Sequence, residues 1–234
     1  MREGSDRPRL ALLNAAHSEG HTRRNFRREL DADLVEFDVQ TDGPPSHFEF
    51  DGLVLTGSRS SVYWDRDWIR PLLEYVAAAD DRGLPMLGVC YGHQVLASAL
   101  GGRVEDMGEY EIGYREIHRT TADELFEGIP ESFTAFTTHS DEVTELPPGA
   151  DLLAENDYGI HAFRRGNVWG VQFHPEYDRQ TAEKIARGKD LPDERIRTVL
   201  DGINARNYEA ACRTKRLFEN FTAIVQRERR AAAR

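Results

Sequence analysis

The chain has 234 residues, of which 39% are apolar, and its 41 acidic and 30 basic side chains leave a formal net charge of −11. That length and apolar fraction fit one α/β domain with a real core. A surface this acidic disfavours nonspecific nucleic-acid binding, which runs on neutralising phosphates, and no stretch approaches the roughly 20 apolar residues of a membrane span. Only three of the 30 cations are lysines, Lys184, Lys189 and Lys215; the rest are arginines. A salt-rich cytoplasm or a GC-rich genome would each produce this bias. The opening residues Met1–Asp6 carry no apolar signal core. Two cysteines, Cys90 and Cys212, make no disulfide framework. A cytoplasmic protein in a reducing compartment is expected. On that basis the sequon at Asn220 is discounted as a glycosylation site.

The elements alternate along the chain. Arg9–Asn14 reads as a buried first strand. Thr22 can cap a helix running to about Leu30, and Leu34–Val39 is a second strand. After the turn at Asp42–Pro45, Gly52–Thr56 is another buried strand. Trp68–Ala79 has helical spacing, with Ile69, Leu72, Leu73 and Val76 on one face. Met86–Val89 is a strand, and Gln94–Leu100 a helix closed by Gly101 and Gly102. Ile112–His118, Ser132–Thr138, Leu152–Glu155, Ile160–Arg164 and Val168–Phe173 read as strands. Beyond Asp178 the chain is helical and charged, broken at Leu191-Pro192, with Thr198–Gly202 and Tyr208–Arg227 as helices. The alternation predicts a doubly wound, mostly parallel open sheet flanked by helices. No linker divides it. One domain is expected, with a core over 9–177 and a helical extension over 178–234.

The sharpest feature is Gly88-Val89-Cys90-Tyr91-Gly92-His93-Gln94. A buried strand enters it and a helix leaves it, as in the strand–turn–helix elbow of Ser hydrolases, with Cys in place of Ser. Glycines on both sides leave room for a strained backbone at Cys90. The helix N-terminus favours its thiolate, and the Tyr91 N–H would face a developing oxyanion. A free cysteine is more often a buried core thiol, but the flanking glycines at a strand–helix junction favour the nucleophile. A thiol nucleophile needs a base, and the base needs an orienting group. The best candidate among eight histidines is His174, at the end of the apolar strand in Gly170-Val171-Gln172-Phe173-His174-Pro175-Glu176. Glu176 can accept from its ring and set the tautomer.

Together these segments resemble the class I (triad-type) glutamine amidotransferases, which carry a G-x-C-x-G-x-Q elbow and a later H-P-E. Cys90, Gly92, Gln94, His174 and Glu176 match both. The resemblance extends to Gly52–Gly57 as the oxyanion strand and to Ala99–Gly102 after the elbow helix. Glu111–Tyr114 resembles the E-x-G-W segment, and Thr138–Asp141 the S-H-x-D segment. The resemblance implies a flavodoxin-like fold and hydrolysis of the L-glutamine side-chain amide through a γ-glutamyl thioester on Cys90. It implies His174 as base and acid, Glu176 as its orienter, and the N–H groups of Ser58 and Tyr91 as oxyanion donors. Gly57, Gln94, Thr138, Ser140 and Asp141 would line the glutamine site. The ammonia would pass to a separate, GMP-synthetase-like synthase.

The loop Gly57-Ser58-Arg59 departs from the family's usual Gly-Gly-Pro, and a positive φ at Ser58 would be strained. No phosphate loop and no synthase domain are present, so no ATP-dependent step is expected on this chain, and no cofactor or metal. His17 and His21 lack the companions of a metal set. A γ-glutamyl amide or peptide hydrolase without a synthase, and a catalytically silent binding protein, are the alternatives. Arg23, Arg24, Arg27 and Arg28 read as a solvated helix face rather than a docking patch. Arg227, Arg229, Arg230 and Arg234 read as a disordered tail. Phe218, Phe221, Ile224 and Val225 read as core, and Cys212 as a helix-packing thiol. The excess of carboxylates yields a first test: Tm rises from low salt to molar KCl as their repulsion is screened, and a flat or falling Tm contradicts it.

Overall fold

The computed structural model describes residues 7–17 and 20–232. Met1–Asp6 and Arg234 therefore lie outside the described residues. A nine-stranded sheet runs through the molecule. Its strands are β1 (Arg9–Asn14), β2 (Asp33–Asp38), β3 (Gly52–Leu55), β4 (Met86–Val89), β5 (Arg103–Arg119), β6 (Ser132–Glu145), β7 (Asp151–Asn156), β8 (Gly159–Arg165) and β9 (Val168–Val171). The spatial order is β2-β1-β3-β4-β9-β8-β7-β5-β6. From β2 to β9 neighbours are parallel, and from β9 to β6 they are antiparallel. The parallel centre is built from short apolar runs. Strands β3, β4 and β9 are buried at every position, as strands covered on both faces must be.

The helices are α1 (Gly20–Glu29), α2 (Ile69–Asp80), α3 (Tyr91–Ala99), α4 (Arg179–Arg187), α5 (Asp193–Gly202), α6 (Ala205–Ala211) and α7 (Arg216–Ala232). Successive residues of β1 point to opposite faces. Leu10 and Leu12 join Phe26 of α1 and Phe218, Phe221, Ile224 and Val225 of α7 in one core layer. Ala11 and Leu13 join Leu72 and Val76 of α2 and Val95 and Leu96 of α3 in the other. The apolar face read on the last helix is therefore core. A smaller cluster packs Ala182 and Ala186 of α4 and Val199 of α5 on Ile112 and Phe136 of β5 and β6.

The structure departs from the sequence reading where charge or bending masks the period. β5 begins nine residues before Ile112. Its first half carries exposed Glu105, Asp106 and Glu109, so it has no apolar alternation, and its pairing shifts register between Asp106 and Glu111. Helix α1 starts at Gly20, which puts Thr22 inside the first turn rather than at the cap. The single helix expected over Tyr208–Arg227 is α6 and α7 joined by a 3-10 turn at Cys212–Lys215, where Thr214 Oγ1 donates to the Ala211 carbonyl at 2.7 Å. The basic tail is not disordered where it is described. Arg227 pairs with Glu124 at 2.8 Å and Arg229 lies 3.7 Å from Asp51, both within a helix that continues to Ala232. The arginines of α1 are likewise paired: Arg27 meets Glu36 at 2.5 Å, Arg23 meets Asp38 at 3.5 Å, and Arg24 and Arg28 meet Asp178. Asn220 donates to the Leu125 and Glu127 carbonyls, a structural use of its amide. Among the described residues no helix is long and apolar enough to cross a membrane.

The joint between β4 and α3 is the tightest close approach near the sheet centre. A Cβ on Gly88 would lie 2.4 Å from the Gly92 carbonyl, and one on Gly92 would lie 2.5 Å from the Leu55 carbonyl oxygen. The strand, the turn and the neighbouring strand β3 meet backbone to backbone there. Gly92→Ala is therefore expected to cost about 3 kcal/mol by overpacking. Gly202→Ala, which projects into open space, is expected to change stability by less than about 1 kcal/mol. Urea titration of both variants checks the contrast, and equal midpoints would refute it.

Candidate active site

The turn between β4 and α3 places Cys90 above the carboxyl edge of the parallel strands. Its backbone has φ 55° and ψ −104°, and it is the one non-glycine residue with positive φ among the described residues. The strain is held from both sides. The Cys90 N–H donates to the Val171 carbonyl at 2.8 Å, and the Cys90 carbonyl accepts from Gln94 N–H at 3.2 Å. The side chain leaves at the first turn of α3, where backbone N–H groups are unpaired and the dipole is positive. Sγ sits 3.9 Å from the Thr138 carbonyl oxygen. Ser58 has no positive φ, so the strain expected at that position is absent. Its hydroxyl instead accepts from the Ser60 N–H at 3.2 Å.

β9 ends at Val171, two residues short of the Phe173 expected from the sequence, and the His174 N–H beyond it donates to the Phe136 carbonyl of β6 at 2.8 Å, which pins the segment across the sheet. The imidazole is buried, with Nδ1 2.8 Å from Glu176 Oε1. Its other ring nitrogen, Nε2, faces Cys90. A Cβ on Gly57 would lie 3.1 Å from His174 Cε1 and 3.7 Å from Cys90 Cβ, so the bare glycine lets the ring and the cysteine share one space. Burial alone lowers the ring's pKa; the negative charges of Glu176 and Cys90 outweigh it and raise the value well above that of an ordinary histidine. The ring therefore favours its protonated form beside Glu176. Tyr177 stacks on it at 4.1 Å between centroids, and Arg28 Nη2 donates to the Glu176 carbonyl at 2.6 Å, fixing the turn from α1.

Two adjoining cavities meet at Cys90. One, of about 230 Å³, runs past His174 and Glu176 to Lys184 and Lys189. The other, of about 170 Å³, lies between Ser58, Gln94, Thr138, Ser140 and Asp141. The sequence-derived residues thus gather around one sulfur. Gln94 holds the second cavity together: its Nε2 donates to the Asp141 carbonyl at 3.0 Å and to Gln172 Oε1 at 3.1 Å. Sequence reasoning missed Tyr63, whose hydroxyl donates to Asp141 Oδ1 at 2.9 Å, Tyr110, 3.1 Å from the Thr138 hydroxyl, and Lys189, whose ammonium sits 4.8 Å from the Tyr110 ring centroid. Their signal was faint. Tyr63 lies in a loop without periodicity, and Lys189 is conspicuous only because lysine is so scarce in this chain.

Residues 17–187 match the family model of glutamine amidotransferase class-I. The glutamine-hydrolysing GMP synthase of Staphylococcus aureus strain Newman is 36% identical over 177 residues, which cover 74% of this chain and 30% of that protein. The chain thus spans less than a third of the curated relative's length. Among solved structures, a putative GMP synthase subunit from Thermoplasma acidophilum aligns with a TM-score of 0.74 at 20% identity, covering 99% of this chain and 100% of the other. A glutamine amidotransferase from Thermotoga maritima aligns with a TM-score of 0.76 at 21% identity, covering 91% and 97%. The large central sheet and its flanking helices are the fold of these proteins. With the family model spanning most of the chain and both site segments inside it, the protein belongs to the class I glutamine amidotransferases.

Proposed function

We propose that the chain is the glutaminase of a GMP-synthetase-like system, hydrolysing the L-glutamine side-chain amide through Cys90, His174 and Glu176. The observation that carries the reading is the strained backbone at Cys90 beside a buried, Glu176-bound imidazole that also interacts with Cys90. Strain of about 1–3 kcal/mol persists only where the surroundings over-determine it, and it concentrates at functional sites.

The chemistry follows from the charges. Cys90 Sγ, as thiolate, adds to the amide carbon of glutamine, and the carbonyl oxygen takes the negative charge. Backbone N–H groups of Tyr91, at the start of α3, and of Ser58, across the cavity, face that oxygen in this reading. His174 gives its proton to the nitrogen, the C–N bond breaks, and ammonia leaves a γ-glutamyl thioester. The ring, now neutral, takes a proton from water as the water adds to the thioester carbon. Glutamate is released and the thiolate–imidazolium pair returns. Glu176 keeps the ring in one orientation and favours its charged form. Gly57, Gln94, Thr138, Ser140 and Asp141 surround the cavity that takes the amino-acid end. The ammonia passes to a separate synthase, a role supported by the S. aureus relative, whose further length this chain does not match.

A second reading rests on the larger cavity. Its extension toward Lys184 and Lys189 offers more room than an ammonia leaving group occupies, as a γ-glutamyl amide or peptide hydrolase would require. Turnover of γ-glutamyl peptides by the isolated chain, faster than of glutamine, would decide for the hydrolase.

Two outcomes test the proposal. Cys90→Ala abolishes glutamine hydrolysis, and a glutamine-mimicking electrophile labels Cys90 and not Cys212 by mass spectrometry; labelling at Cys212 alone refutes it. The second concerns pH. His174 must carry its proton to release ammonia, so kcat/KM falls on the alkaline side as that raised ring titrates, well above the ordinary histidine range. Glu176→Gln removes the first of the charges that raise it, so the alkaline limb of the profile moves to lower pH. A limb that stays in place shows that Glu176 does not set the charge of His174.

A further inference from the structure

The cavity beside Cys90 is shaped in part by one backbone carbonyl, that of Asp141. It accepts from Gln94 Nε2 at 3.0 Å and from His139 Nδ1 at 3.0 Å. Behind His139 lies Glu111, wholly buried, its Oε2 2.6 Å from His139 Nε2. Its Oε1 accepts from Asn156 Nδ2 at 2.8 Å. Glu111 and His139 face one another in the β5–β6 ladder, so the contact crosses between strands at a fixed register. The His139 ring thus bridges two acceptors, Nδ1 on the Asp141 carbonyl and Nε2 on the Glu111 carboxylate. Burial pushes the Glu111 carboxyl up; hydrogen bonds from His139 and His161 overcome this and hold it well below the usual carboxylate range. A carboxylate–imidazole hydrogen bond is therefore sealed inside the sheet, one end of it tied to the wall of the substrate cavity.

The geometry assigns Glu111 as a positioning residue for substrate: through His139 it fixes the Asp141 carbonyl and the adjoining stretch from Thr138 to Asp141. The inference rests on the glutaminase reading above. A buried pair of this kind is weak evidence for stability, because desolvation offsets much of its attraction. Its connection explains its place better. The two donors on the Asp141 carbonyl hold that stretch from opposite sides, Gln94 from the elbow helix and His139 from the sheet interior.

Glu111, His139 and His161 also bring ligand atoms within 4.8 Å of one another. The spacing argues against a cation. Two donors on one tetrahedral zinc stand about 3.3 Å apart, whereas His139 Nε2 and Glu111 Oε2 stand at 2.6 Å, a hydrogen-bond distance. His161 is turned neutral by burial and sits 3.2 Å from the same oxygen.

The test is Glu111→Gln in the full chain. KM for glutamine is expected to rise roughly tenfold, the scale of a lost charge-assisted hydrogen bond, while kcat falls less than about threefold. On the Cys90→Ala background, the calorimetric Kd for glutamine weakens by a similar factor. Combined with Gln94→Ala, the loss is less than multiplicative, because both side chains act on one carbonyl. If Glu111→Gln does not fold, His139→Gln, which keeps an amide donor for Asp141, is expected to show the same split more mildly. An unchanged KM in the folded variant, with or without a fall in kcat, overturns the assignment. So does stoichiometric zinc binding by the wild-type chain that the variant loses. A Cys90→Ala chain that binds no glutamine refutes the glutaminase reading and this inference together. One that binds it, with Glu111→Gln unaffected, refutes the inference alone.

Discussion

A left-handed backbone at Cys90 is costly for any residue with a Cβ, and the surrounding architecture is arranged so that no cheaper conformation is open to it. β4 delivers the chain between β3 and β9, where no side chain fits at Gly88 or Gly92. The Cys90 N–H is held by β9 and its carbonyl by the first turn of α3. Relaxing φ would break these bonds and drive α3 off the sheet. The parallel core therefore does more than bury apolar area. It converts close packing into a fixed direction for one sulfur, because packed interiors resist small displacements.

Around that sulfur the charged groups are buried in pairs. His174 lies between Glu176 and Cys90, and Glu111 lies against His139. The arginines of α1 reach the same region from outside, with Arg28 on the Glu176 carbonyl and on Asp178. The surplus negative charge of the chain belongs mostly to its surface, where salt screens it. Inside, Glu111 and Glu176 each have an imidazole within hydrogen-bond distance and Asp141 has the Tyr63 hydroxyl, the condition under which polar groups survive burial.

The sequence was legible where one physical cause dominated. Arg9–Asn14 and Met86–Val89 coincide with the observed strands because a parallel strand buried on both faces leaves an unbroken apolar run. The elbow and the His174–Glu176 pair could be read because tight turns and oriented imidazoles need particular residue types at fixed spacing. Other parts carried no local signal. The outer half of β5 is held by pairing with β6 while its side chains face water, so nothing in Glu105–Glu109 marks a strand. The break between α6 and α7 depends on a bend and not on a breaker residue. Glu111 stood in a recognisable segment, yet its partner His139 is 28 positions away, and only the β5–β6 register brings them together.

Lysine scarcity has a practical side. Of the three lysines, Lys215 is ion-paired to Glu29, while Lys184 and Lys189 both line the cavity at Cys90. Amine-directed reagents, whether crosslinkers, fluorophores or resin couplings, will therefore find most of their side-chain targets at the mouth of this one cleft. A covalent map of the cleft comes almost free of background from lysine chemistry alone. Immobilising the protein through its amines, by the same token, would turn its working face toward the support.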